Sequence, residues 1–340
     1  MTEKVLVTGG TGVIGAWVVR ELIESGVRPV VLTRGMTDVG RVIVGELSDQ
    51  ADWVTADIEE PWSVTATFRE FRPTSVIHMA SVKPWQVDAG FVGRPDPPAA
   101  VRNIIEGTTN LLEASRQFGV RRFVYASSKA VYAPFSSVNF QIPVVDTSYP
   151  TVPDTFYGAG KLSAEHLGRL YHERFELEFV AIRFASAYGP FKRGPAHLPT
   201  GILSHALGNK PIEVRITEHE YRDVADDFIH NRDVARAFVR ASVMVDPSIS
   251  VFNVGSGTAV TVEEIVSTVR RINPRSALTV RLDDSAESVF PGTVGAHVGI
   301  LDSSSARQHL DWEPTLDLEA GLIETAAFNA MSNVDLELGR

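Results

Sequence analysis

The chain has 340 residues, 44% hydrophobic and 22% charged, an ordinary composition for a globular protein with room for about two domains. Its net charge of -10 and pI near 5.4 argue against broad, charge-driven binding to nucleic acid or anionic lipid and leave room only for a local basic pocket. Without cysteine there is no disulfide, thiolate nucleophile or cysteine-ligated zinc. The cysteine-free composition suits the cytoplasm. The opening M-T-E-K-V-L-V-T-G-G lacks a signal-peptide apolar core, and no uncharged apolar run reaches the roughly 18 residues of a membrane span. A small-molecule partner is therefore expected, with no nucleic acid and no membrane.

Short β-rich apolar runs come first at Lys4 to Thr8, Pro29 to Thr33, Trp53 to Asp57, Ser75 to Ala80, Arg122 to Ser127 and Glu178 to Phe184. Helical spacing of apolar residues appears at Gly15 to Glu24, Ala99 to Phe118 and Phe156 to Phe175. This alternation predicts an α/β fold, a Rossmann-type doubly wound parallel sheet. After about residue 190 the elements shorten and Pro and Gly become frequent. The expected division is a dinucleotide-binding domain over 1–189 plus about 227–275. A smaller C-terminal α/β substrate domain would take about 190–226 plus 276–340.

The stretch V-L-V-T-G-G-T-G-V-I-G leaves the first strand and opens the first helix. Gly10, Gly12 and Gly15 fit G-x-G-x-x-G, and Gly9, Gly12 and Gly15 fit G-x-x-G-x-x-G. In that context glycines permit a tight turn and close backbone approach to a pyrophosphate at a helix N-terminus, with Val13 and Ile14 completing the loop. An acid that would bind the adenosine ribose is expected about 20 residues on. None lies between Ser25 and Thr37; Thr33 and Arg34 stand in its place. A guanidinium there would pair with a 2′-phosphate, so NADP is favoured over NAD.

In Y-G-A-G-K, Tyr157 and Lys161 share one helix face. A lysine ammonium beside a phenol favours phenolate, as a proton-transfer catalyst near neutral pH requires.

In its ordered motifs the chain resembles the extended short-chain dehydrogenase/reductase family, the NAD(P)-dependent epimerases and dehydratases, over nearly its whole length. The matching pieces are T-G-G-T-G-V-I-G at 8, A-D-I at 56, V-I-H-M-A-S at 76, N-I-I-E-G-T-T-N-L-L-E-A at 103, Y-A-S-S-K-A-V-Y at 125, Y-G-A-G-K at 157, R-F-A-S-A-Y-G-P at 183, D-F-I-H-N-R-D-V-A-R-A at 227 and F-N-V-G-S-G at 252. The resemblance implies Asp57 and Ile58 on the adenine side, Met79, Ala80 and Ser81 beside the nicotinamide riboses, and Asn103 near the cofactor. It implies a catalytic set of Ser128, Tyr157 and Lys161, with Lys161 holding the nicotinamide ribose and, together with the cofactor's charge, keeping Tyr157 near phenolate. The glycines between them would keep the helix slim where cofactor or substrate approaches. It also implies a homodimer packed through the helices Ala99 to Phe118 and Phe156 to Phe175, whose Ile104, Leu111, Leu112, Leu162, Leu167, Leu170 and Tyr171 exceed a single narrow apolar stripe.

The departures bear on substrate. Where family dehydratases carry an Asp-Glu pair, Lys129 and Ala130 follow Ser128, so a 4,6-dehydratase is not expected. Ser186 stands where sugar-nucleotide epimerases more often have a diphosphate-binding asparagine. In R-D-V-A-D-D-F-I-H, Arg222 lies farther from D-F-I-H than the family's phosphate-binding arginine. Candidate substrate contacts are Lys83 and Trp85, with Gln86, in the loop after the nicotinamide strand, and Ser127, Ser128, Lys129, Ser186, Arg193 and Arg222. Lys192 and Arg215 extend a possible anion site. His219 and His230 sit among acids without a metal-binding spacing, so no metal is expected, and His78 is read as a satisfied core histidine. The expected activity is hydride transfer at a secondary alcohol or ketone of a sugar-like or polyol-like substrate, foremost as an epimerase. The alternatives are a net NAD(P)-dependent dehydrogenase or reductase of a small carbonyl compound without a nucleotide and a non-catalytic NAD(P) sensor.

Overall fold

The computed structural model describes residues 3–81, 97–132, 143–191, 198–207, 212–244, 250–283 and 299–331. In the first half, strands β1 (Val5–Thr8), β2 (Val30–Thr33), β3 (Asp52–Thr55), β4 (Ser75–His78), β5 (Arg122–Ala126), β6 (Val144–Val145) and β7 (Glu178–Phe184) alternate with helices. These are α1 (Gly15–Glu24), α2 (Asp38–Val44), α3 (Pro61–Phe71), α4 (Pro97–Ala100), α5 (Gly107–Phe118) and α6 (Phe156–Phe175). The second half adds β8 (Ser186–Tyr188), β9 (Ile212–Ile216), β10 (Ala225–His230), β11 (Val251–Val254), β12 (Ala259–Thr261), β13 (Leu278–Leu282) and β14 (Ile300–Leu301). Its helices are α7 (Leu198–Leu207), α8 (Glu218–Arg222), α9 (Asn231–Val243), α10 (Val262–Ile272), α11 (Ser304–Leu310) and α12 (Leu318–Met331).

Seven strands form one parallel sheet in the order β11-β7-β5-β4-β1-β2-β3. Strands β1, β2, β4 and β5 are buried along their whole length, as helices on both faces of a parallel sheet require. One face buries Val18, Val19 and Leu22 of α1 with Phe238 of α9. The other buries Phe68 of α3, Leu111 and Leu112 of α5, and Ala164 of α6 with Phe179. Local chemistry sets the helix starts: Pro61 opens α3, Thr155 caps α6 through Gly158 N at 3.0 Å, and Thr261 and Glu264 form a reciprocal cap on α10. No helix among the described residues is long and apolar enough to cross a membrane.

A smaller layer carries β12-β10-β8 and the parallel pair β13-β9, with Ile202, Leu203, Ile265, Val266, Val269 and Leu322 in its core. The segment 227–273 divides between the two layers. Helix α9 packs on α1 and β11 closes the large sheet, whereas α10 packs with α7 and α12 in the smaller layer. Ile104, Leu111 and Leu112 are fully buried within the chain, so they are not the spare apolar surface that the expected dimer was argued from.

Candidate active site

The glycine loop lies at the C-terminal ends of β1 and β4. Gly9 takes φ +69°, and a Cβ on it would fall 2.6 Å from Ala80 N. Gly12 N donates to Gly9 O at 3.0 Å, and a Cβ on Gly15 would collide with that same carbonyl. Gly12 is exposed, with Val13 and Ile14 half-buried where α1 begins. Opposite them, Met79 N donates to Thr8 O (3.1 Å) and Ala80 N to Thr8 Oγ1 (3.2 Å), which fixes the strand end. The buried Ser81 Oγ has no partner among the described residues. A cradle of exposed backbone that only glycine allows, beside an unsatisfied hydroxyl, fits a bound dinucleotide.

At the end of β2, Thr33 Oγ1 bonds Gly35 O (2.8 Å) and Thr11 Oγ1 (3.2 Å), and Arg34 is exposed. Asp57 Oδ1 accepts from Glu59 N (3.0 Å), and Ile58 is buried against Gly107. Before α5 the chain widens into a π-helical turn, Val101–Glu106, where buried Asn103 donates to Glu59 Oε1 at 2.9 Å. These side chains line the same sheet end as the glycine loop.

Ser128 follows β5 in extended conformation and its Oγ accepts from Ala130 N at 3.2 Å, capping the turn Lys129–Val131. Tyr157 packs against Ile104 and Ala130 and hydrogen-bonds with the Ser128 side chain. The buried Lys161 Nζ donates to Ala126 O at 2.7 Å and lies 5.6 Å from the centre of the Tyr157 ring. Burial pushes the Tyr157 phenol up to about 12, and the hydrogen bond with Ser128 pulls the other way. Burial of the ring thus works against the phenolate bias expected from Lys161.

The glycines of Y-G-A-G-K face the protein itself rather than a cofactor or substrate. A Cβ on Gly158 would run into the Ala130 carbonyl oxygen and come within 2.9 Å of Pro153; one on Gly160 would reach Ile104 at 3.3 Å. The helix is slim there for the protein's own Ser128 turn and the turn before α5.

Beneath this set, His78 Nδ1 lies 2.6 Å from Thr8 Oγ1 and Nε2 lies 3.0 Å from Thr108 Oγ1. Thr108 donates to Ile104 O at 2.5 Å, so Nε2 carries the hydrogen and donates to Thr108, while Nδ1 accepts from Thr8. Burial, then the charge of Lys161, lowers the His78 pKa to about 3. Neutral and doubly bonded, it is a satisfied core histidine.

Two polar networks join the strand ends, and neither follows from sequence spacing. Ser127 is fully buried and donates to Glu165, so it does not face substrate as expected. Glu165 also pairs with Arg183 at 2.6 Å, both side chains being buried, and Arg183 lies over the Tyr132 ring. The one signal for Glu165 was its place four residues beyond Lys161 on the catalytic face of α6. The second network centres on Asp226, which takes the Lys129 ammonium and accepts from Ser186 Oγ at 2.6 Å. Lys129 and Ser186 are thereby brought together.

Arg222 is exposed and bonded to Glu218 at 3.2 Å, with Glu263 at 3.8 Å. Lys83, Trp85, Gln86, Lys192 and Arg193 lie outside the described residues. Among the described residues no group of three or more acids or histidines is placed to hold a metal ion.

Comparison with known proteins gives one consistent result. The model of the NAD dependent epimerase/dehydratase family matches residues 5–255. The chain is 31% identical over 337 residues to UDP-glucose 4-epimerase of Mycolicibacterium smegmatis, covering 96% of this chain and 98% of that protein. It is 27% identical over 347 residues to dTDP-glucose 4,6-dehydratase of Neisseria gonorrhoeae, covering 95% and 94%. Among solved structures, UDP-glucose 4-epimerase of Thermus thermophilus in complex with NAD superposes with a TM-score of 0.79 at 26% identity, covering 96% of this chain and 99% of that one. UDP-glucuronic acid 4-epimerase of Bacillus cereus, in complex with UDP-glucuronic acid and NAD, superposes at 0.77 with 25% identity, covering 96% and 99%.

Proposed function

Because the chain belongs to the NAD dependent epimerase/dehydratase family, within the extended short-chain dehydrogenases/reductases, we propose that Ser128, Tyr157 and Lys161 epimerise a secondary alcohol on a sugar-like substrate. A nicotinamide dinucleotide held at the glycine cradle would supply hydride acceptance and return, together with a positive charge that would draw a nearby phenol toward phenolate. Tyr157 takes the proton from the substrate hydroxyl as that carbon is oxidised. It gives the proton back once the resulting ketone has presented its other face. Ser128 would steady the same oxygen, and Lys161, on the Tyr157 face of α6, would hold a ribose hydroxyl and the local charge. Similarity to UDP-glucose 4-epimerases favours epimerisation over net redox turnover or sensing.

The observation that carries this reading is the buried Tyr157 phenol, hydrogen-bonded with Ser128 and backed by Lys161, one strand away from the glycine cradle. Tyr157→Phe removes only the transferable proton. We expect kcat to fall by about 10²- to 10⁴-fold with dinucleotide affinity within a few-fold of the parent. Retention of most of kcat would refute the assignment.

NADP as the preferred cofactor rests on exposed Arg34 and the lack of an acid at the end of β2. Chromatography of dinucleotide released from denatured protein tests it, with NADP expected and NAD overturning it. A cytoplasmic homodimer completes the proposal. The dimer is supported by exposed Phe156 and Leu170 on α6, and the cytoplasm by the cysteine-free sequence; fractionation of the producing cells checks the latter.

A further inference from the structure

We infer that Asp226 is a specificity-determining residue that turns the substrate site away from a nucleoside diphosphate and toward a neutral or cationic handle bearing hydroxyl or ammonium donors. The inference rests on reading Ser128 and Tyr157 as the catalytic pair, because Lys129 directly follows Ser128 and ties that turn to Asp226 at the start of β10. Asp226 Oδ1 receives the Lys129 ammonium and Asp227 N (2.9 Å), and Oδ2 receives Ser186 Oγ (2.6 Å). All three side chains of the trio are half-buried at the junction of the catalytic strand end with the smaller sheet, so they retain a face toward a ligand.

The arrangement fixes what the surface can offer. Ser186 spends its hydroxyl hydrogen on the bond to Asp226 and presents only lone pairs. A carboxylate has roughly four acceptor positions, of which the contacts above use three, so Oδ2 keeps one. The ammonium and the carboxylate cancel in charge. Such a surface matches a donor, a hydroxyl or an ammonium. A diphosphate needs donors and net positive charge, and here it would meet a carboxylate and a serine without a free proton. The other described candidates for an anion site are also neutralised: Arg215 by Asp283 at 2.5 Å, and Arg222 by Glu218 and Glu263.

The test is titration calorimetry of UDP and of UDP-glucose into the full-length protein loaded with its dinucleotide. The parent protein is expected to bind both more weakly than ~1 mM, and Asp226→Asn, which frees Lys129, is expected to bind UDP at least ~10-fold tighter. Micromolar binding by the parent protein would overturn the inference without recourse to any variant. Weak binding that Asp226→Asn fails to tighten, in a variant that melts and binds dinucleotide like the parent, would overturn the role of Asp226. Neither readout requires turnover, so failure here is distinct from failure of the catalytic assignment, which Tyr157→Phe reads.

Discussion

Two buried histidines show how single residues couple this fold to pH. His78 spends both ring nitrogens on Thr8 and Thr108 and has its pKa lowered to about 3 by burial and then by Lys161. His230 is fully buried at the start of α9, where its Nδ1 accepts from Arg232 N, and burial lowers it to about 4 against the pull of Asp233. In the unfolded chain both would titrate near 6.5. As pH falls below that value the unfolded state gains protons that the native state refuses, so each histidine removes up to ~1.4 kcal/mol of stability per pH unit. The loss should begin near pH 6.5 and continue until each folded-state pKa is passed. Urea midpoints at constant m-value should therefore drop steadily from pH 7 to pH 5, a range above most carboxylate titration. Stability that stays flat across those two units would show that the histidines are protonated in the folded protein.

At the scale of elements, the N-terminus of α6 is packed against the Ser128 turn so closely that Gly158 has no room for a side chain. Gly158→Ala should force helix and turn apart, costing roughly 1–3 kcal/mol as overpacking does, with a larger loss in kcat than in dinucleotide affinity. Gly160→Ala meets only the yielding side chain of Ile104 at 3.3 Å and should be milder in both respects. Equal effects on melting temperature and kcat would mean that the close approach does not position Ser128 and Tyr157. The sequence showed that glycines belong here but not what they face. Continuous β-branched runs made the strands of the large sheet legible, and 3.6-residue spacing made α1 and α6 legible, because a buried face imposes its period on neighbouring residues. No period records a partner far along the chain. Glu165 meets Arg183 and Ser127, and Asp226 meets Lys129 and Ser186, across elements joined only by the fold. For the same reason no spacing records how segment 227–273 divides into β10, α9, β11, β12 and α10. Its strands serve two different sheets.

For the whole molecule, the open matter is what covers the outer face of α6. Ile104, Leu111 and Leu112 are satisfied inside the chain, so a dimer has to draw on other residues. Phe156 is 60% exposed and Leu170 is 43% exposed. At helical spacing they share one stripe with exposed Ala159 and half-buried Ser163 and Leu167, of which Ala159 and Ser163 are small enough to let a second helix approach. From Phe156 to Leu170 the stripe runs about 21 Å along the helix, and a two-fold axis would set it against its own copy beside α5. Phe175 is exposed too, but the Arg116 guanidinium lies 5.1 Å from its ring centre, so it has a partner within the chain. Burying the exposed parts of Phe156 and Leu170 on both copies would stabilise the pair by roughly 0.6–1.8 kcal/mol per side chain. Phe156→Asp combined with Leu170→Glu should then raise the dimer dissociation constant by at least ~100-fold, whereas Phe175→Asp should change it little. Sedimentation equilibrium decides the matter: a parent protein that is monomeric at micromolar concentration, or a dimer that survives the double substitution, removes α6 as the interface.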